Sequence, residues 1–113
     1  MRAVLRSKIQ NVTVTEANLE YQGSVTIDES LMKKADIWEG EKVLISSVTT
    51  GRRLETYTIK GEMDSGVICM NGPAAHLIKK GENITIMAFE YVDEEITAKK
   101  ILADEENKFL KYL

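Results

Sequence analysis

Along most of this chain, apolar and polar residues alternate or fall in short β-branched runs. That is the period of strands whose two faces meet different surroundings. Such runs cover Ala3 to Ile9, Val12 to Thr15, Ser24 to Ile27, Lys42 to Val48, Leu54 to Ile59, Val67 to Met70 and Asn83 to Val92. Glycines at 23, 40, 51, 61, 66, 72 and 81 fall near the breaks, where turns need them. Many short strands without long intervening helices predict a small closed barrel rather than βαβ units. Two helical pieces interrupt the pattern. Asp28 to Ala35 starts with capping residues and continues in helix formers, and Pro73 to Ile78 starts with a proline tolerated in a first helical turn. Residues 93–113 change character: six acids and four bases surround Ile96, Ile101, Leu102, Phe109, Leu110 and Leu113. That spacing predicts an amphipathic C-terminal tail, a helix lying on the barrel or on a neighbouring subunit.

Composition narrows the functional classes. A chain of 113 residues is one domain, 1–113, large enough to bury a core without covalent staples. Net charge is −3 and the basic residues are dispersed, so no nucleic-acid footprint is visible. Cys69 is the single cysteine and His76 the single histidine. Internal disulfides, multi-cysteine zinc sites and His-rich metal centres are thereby excluded, and catalysis built on histidine is nearly so. Without a signal-peptide pattern or a run of ~18 apolar residues, a cytoplasmic protein with no membrane partner is expected. Cys69 reads as a small buried hydrophobe, His76 as a hydrogen-bonded structural residue, Trp38 as packing or subunit contact, and Arg52 as surface charge.

The chemistry-bearing candidate is the bond between Gly23 and Ser24, in Tyr21-Gln22-Gly23-Ser24. Taken alone it reads as a turn between strands. A serine hydroxyl can also attack the preceding carbonyl, and glycine there reaches backbone angles closed to other residues. The ester so formed can eliminate to dehydroalanine, which hydrolyses to a pyruvoyl group and ammonia.

Three further blocks accompany that bond: Leu5-Arg6-Ser7-Lys8-Ile9, Thr49-Thr50-Gly51-Arg52-Arg53-Leu54-Glu55-Thr56-Tyr57, and Val67-Ile68-Cys69-Met70-Asn71-Gly72-Pro73-Ala74-Ala75-His76. In this order and at these separations, from about residue 3 to about residue 92, the chain resembles the aspartate 1-decarboxylase family, bacterial pyruvoyl enzymes that make β-alanine for pantothenate. The resemblance implies a mainly β fold, a double-psi β-barrel assembled as a homotetramer with active sites between subunits. It also implies an inactive precursor cut into 1–23 and 24–113, with a covalent pyruvoyl cofactor derived from Ser24 and neither metal nor pyridoxal phosphate.

The implied reaction removes the α-carboxylate of L-aspartate. A Schiff base between the substrate amine and the ketone delocalises the electrons left on the α-carbon. By the same resemblance Tyr57 matches the proton donor, Arg53 the carboxylate-binding arginine and Lys8 a second cation. Thr56 matches a residue of both self-processing and substrate contact. Gly72, Pro73 and Ala74 match a loop whose backbone meets substrate, preceded by Asn71, and Tyr21 lies beside the scission point. Because Pro73 has no N–H, only Gly72 and Ala74 could donate there. Gln10, Val25 and Pro73 depart from common family residues, and none removes a group the chemistry demands. Two other readings stand beside this one: a non-catalytic or unprocessed barrel, and a decarboxylase of another acidic amino acid, since one methylene in a pocket is worth only ~1–3 kcal/mol.

Overall fold

The computed structural model describes residues 1–20 and 23–113. Among these described residues, nine strands and two short helices follow in order: β1 (Arg2–Thr13), β2 (Glu16–Asn18), β3 (Val25–Asp28), α1 (Glu29–Ala35), β4 (Lys42–Ser47), β5 (Arg53–Gly61), β6 (Ile68–Asn71), α2 (Ala74–Leu77), β7 (Asn83–Val92), β8 (Lys99–Ala103) and β9 (Phe109–Tyr112). They form one mixed sheet in the order β2-β6-β3-β5-β4-β7-β1-β8-β9.

Since β2 continues β1 after two residues, the two ends of the series from β2 to β1 are one stretch of chain. The ring β1/β2-β6-β3-β5-β4-β7 therefore closes into a six-stranded barrel, with Thr15 N–H donating to Ile68 C=O at the seam (2.8 Å). The pairings of β2 with β6 and of β3 with β5 are parallel, and the other four around the ring are antiparallel. This closed, mainly β architecture accords with the double-psi β-barrel expected.

Side chains that alternate inward fill the ring. Ile27 lies opposite Ile68, Val25 opposite Met70, and Ile45 and Ile9 both opposite Ile86, all buried. Each is worth about 1.5–3 kcal/mol of apolar burial. The sequence pattern breaks at Ile9-Gln10-Asn11-Val12, where inward residues are three apart. A β-bulge absorbs the extra residue, with Asn11 at φ 67°, so that Ile9 faces Ile86 and Val12 faces Ile84. The first expected strand, 3–9, and the first half of the second, 12–15, are thus one long bent strand that ends at Thr13.

Helix α1 closes one end of the barrel with Leu31, Met32 and Ala35. Its N-cap is Asp28, whose carboxylate accepts from Ser30 N–H (2.8 Å) and Ser30 Oγ (2.7 Å). The same group accepts from Asp64 N–H (2.9 Å) and Gly66 N–H (2.8 Å), tying the loop before β6 to the end of β3. Burial alone would raise the carboxyl's pKa, but the bonds from Ser30, Gly66 and Asp64 outweigh it and hold it below the ordinary carboxylate range.

The C-terminal region is not the helix expected. β8 pairs in parallel with β1, placing Ile101 beside Ile9, and β9 folds back antiparallel on β8. Ile101 and Ala103 alternate inward and are fully buried. The edge of β1 facing away from β7 is what they fill, and that demand outweighs local helical spacing. Asn107 fastens the turn: its carboxamide accepts from Thr13 N–H and donates to Thr13 C=O and Gly66 C=O, each at 2.8 Å.

Candidate active site

Ser24 directly precedes β3, and the β3 registers decide what surrounds it. Val25 pairs with Met70 on one side and Thr58 on the other, so the next rung sets Ser24 beside Asn71 of β6 and near Tyr57 of β5. Asn71 N–H donates to Ser24 C=O (3.0 Å), and Asn71 Nδ2 donates to Ser24 Oγ (2.9 Å) and to Thr26 Oγ1 (3.0 Å). Asn71 Oδ1 accepts from the Cys69 thiol (3.2 Å). Ser24, Asn71 and Cys69 are all buried.

The backbone at the Gly23–Ser24 bond is strained. Gly23 has φ 130° and Ser24 φ 102°, a left-handed value rare for a residue with a side chain and costing about 1–3 kcal/mol. Nothing lies within 4 Å of a Cβ built on Gly23, so the angle, not crowding, calls for glycine there.

A cleft of about 400 Å³ opens at this bond. Gly23, Ser24, Thr56, Tyr57, Pro73 and Ala74 line it, together with Leu54, Glu55 and Leu77. The two residues before β3, the first half of β5 and helix α2 with its preceding Pro73 therefore converge on one space. The Gly72 N–H is taken by Asn18 C=O (2.7 Å), and Gly72 is buried without lining the cleft. Of the two backbone donors expected, only Ala74 remains, at the helix start and with no acceptor among the described residues.

Other expected residues stand apart from the cleft. Arg53 is exposed on β5, opposite Ser46 and two strand repeats, about 13 Å, from Tyr57. Lys8 lies opposite Met87, which lies opposite Leu44, which lies opposite Glu55. Directly opposed residues share a face, so Lys8 belongs to the same outer surface as Arg53 and Tyr57, about 14 Å across from Glu55. That surface also carries Tyr57, Phe89 and Tyr91, which are 45%, 43% and 72% exposed. Tyr21 lies outside the described residues.

One structural expectation is corrected and another is narrowed. His76 is exposed in α2, and no side-chain hydrogen bond holds it among the described residues. Trp38 is 76% exposed, so of the two roles expected for it, packing within this chain is excluded and contact with a neighbouring subunit is the one left. Cys69 is buried as expected, yet it also donates a hydrogen bond to Asn71. Burial, then the charge of Glu16, raises the pKa of its thiol, which keeps its proton. Sequence reasoning missed that link, although the spacing Cys69-Met70-Asn71 sets both side chains on one face of β6. Glu55 was also missed as a cleft residue. Its carboxylate pairs with Lys42 Nζ at 2.7 Å.

A family model described as aspartate decarboxylase matches residues 1–110. The aspartate 1-decarboxylase of Caldicellulosiruptor bescii is 50% identical, covering 96% of this chain and 88% of its own length. That of Acetivibrio thermocellus is 49% identical over 95% of this chain and 88% of its own length. That of Myxococcus xanthus is 53% identical over 82% and 72%. Among solved structures, a computationally designed protein superposes with a TM-score of 0.44 at 16% identity, covering 77% of this chain and 98% of its own. The chain belongs to the aspartate decarboxylase family. No helix among the described residues is long and apolar enough to cross a membrane.

Proposed function

We propose that this protein decarboxylates L-aspartate to β-alanine and CO2, a step of pantothenate biosynthesis in the cytoplasm, through a ketone it makes from its own Ser24. Family membership supports the overall reaction. The observation that carries the self-processing step is a buried serine at φ 102°, after a glycine at φ 130°, with its Oγ held by Asn71.

In that step Ser24 Oγ bonds to the Gly23 carbonyl carbon and the C–N bond breaks, the hydroxyl proton passing to the amide nitrogen. Loss of the Ser24 α-proton then breaks the Cβ–O bond, freeing the Gly23 carboxylate and leaving dehydroalanine. Its imine tautomer takes up one water and releases ammonia, so position 24 ends as a ketone. Backbone strain at the bond is relieved when it breaks, which lowers the barrier from the ground-state side. Thr56, lining the same cleft, would supply a side-chain donor to the developing oxyanion.

The residues present fit a pyruvoyl group. Asn71 and Thr56 flank position 24 and would hold it, and the cleft accommodates a substrate of aspartate's size. Such a group would supply an electron sink for the charge left on the substrate's α-carbon. Tyr57 lines the cleft with a phenol able to return a proton to the α-carbon. The Ala74 N–H at the start of α2 is a donor for a substrate carboxylate.

Arg53 and Lys8 would hold the second carboxylate, Arg53 through a bidentate fork. One copy does not bring them to its own cleft. A homotetramer whose sites form between copies would do so, and the exposed Tyr57, Phe89 and Tyr91 on that face support burial against a second copy. Denaturing mass spectrometry tests the reading. The active protein is expected as two chains split before residue 24, and Ser24→Ala as one whole, inactive chain. Turnover by uncut Ser24→Ala would refute it.

A further inference from the structure

Asn71 ends β6 with its carboxamide fully engaged: both Nδ2 hydrogens go to hydroxyls, at Ser24 (2.9 Å) and Thr26 (3.0 Å), and Oδ1 takes the Cys69 thiol (3.2 Å). A carboxamide can be turned over at no cost to its shape. Turned over, Oδ1 would face the two hydroxyls and accept their protons, while the NH2 would face sulfur, a weak acceptor. The two orientations differ in what they do to Ser24. As observed, Ser24 Oγ accepts from Asn71, and its own proton points elsewhere. Turned over, that proton would be bound to Asn71 Oδ1.

We propose that Cys69 is a positioning residue for self-cleavage: its S–H selects the Asn71 orientation that leaves the Ser24 hydroxyl free to give up its proton. This inference rests on the self-processing reading above. When Ser24 Oγ attacks the Gly23 carbonyl, its proton must leave for the amide nitrogen. An oxygen already accepting an N–H from Asn71 is stabilised as charge builds on it, whereas one donating to Asn71 must first break that bond. The burial that keeps the thiol protonated also shields its bond to Oδ1 from water. Cys69 does not line the cleft, and of the two acceptors near its thiol, Met70 C=O at 3.9 Å and Asn71 Oδ1 at 3.2 Å, the closer is the one that links it to Ser24.

The test follows cleavage before residue 24 by denaturing mass spectrometry, on freshly purified full chains incubated warm, with thermal midpoints measured on the same samples. Removing the donor in Cys69→Ala is expected to slow cleavage about five- to tenfold, the weight of one neutral hydrogen bond. Restoring a donor in Cys69→Ser is expected to bring the rate back to within about twofold of wild type. The ranking, wild type and Cys69→Ser together above Cys69→Ala, should hold at a temperature where all three are fully folded. Cys69→Ala cleaving at the wild-type rate, or Cys69→Ser as slow as Cys69→Ala, overturns the proposal and leaves the self-processing reading intact. A wild-type chain that never cleaves overturns both.

Discussion

Replacing Asp28 with Asn exchanges one oxygen for an NH2 group at the junction of β3, α1 and the 62–67 loop. In the native protein Oδ2 accepts from Gly66 N–H at 2.8 Å, and Oδ1 accepts from Ser30 N–H, Ser30 Oγ and Asp64 N–H. With Asn the new NH2 faces the Gly66 N–H, and a buried donor loses its partner at a cost of about 1–3 kcal/mol. The three remaining bonds fall from charge-assisted to neutral, about 0.5 kcal/mol each. Asp28→Asn should therefore destabilise by about 3 kcal/mol, lowering the thermal midpoint by about 10 °C. Turning the amide over strands Asp64 and Ser30 donors instead, so no rotamer escapes the loss. The comparison belongs in a Ser24→Ala background at fixed protein concentration, where a single covalent species unfolds in urea. The pH dependence carries a second check. The Asp28 carboxyl has a folded pKa below its unfolded value, so its stabilisation is fully present above the ordinary carboxylate range. It is lost as pH falls from about 4 through the lower folded value, and the gap between Asp and Asn should narrow over that window. A gap below about 1 kcal/mol at pH 7, or one that does not shrink in acid, refutes the reasoning.

Two further outcomes follow from the geometry. Tyr57→Phe is expected to self-cleave normally yet decarboxylate about a hundredfold more slowly, followed as CO2 release; unchanged turnover removes Tyr57 as the proton donor. Asn107→Ala withdraws three hydrogen bonds from Thr13 and Gly66 and places alanine at φ 60°, for an expected loss of about 2–4 kcal/mol in chemical unfolding. A loss under about 1 kcal/mol would show that the C-terminal hairpin is held by β8 pairing alone.

The sequence by itself determined the strand runs, the capping of α1 by Asp28 and the collinear motifs around Gly23-Ser24, because these are written in local period and residue chemistry. It also named most of the residues that line the cleft, since Thr56, Tyr57, Pro73 and Ala74 sit in blocks whose order marks the family. Tertiary structure decided the rest, and in each case the deciding partner is distant along the chain. Residues 99–103 become a strand because β1 offers an open edge, which no window over the tail contains. Gly72 is no donor to the cleft because Asn18, more than fifty positions earlier, takes its N–H. Arg53 and Lys8 share the outer face with Tyr57 only through the registers of β1, β7, β4 and β5. The φ of Ser24 and the set of the Asn71 carboxamide arise where β3, β6 and the cleft meet. Side-chain types and periods are local properties, whereas backbone strain and hydrogen-bond direction depend on which strands the barrel brings side by side.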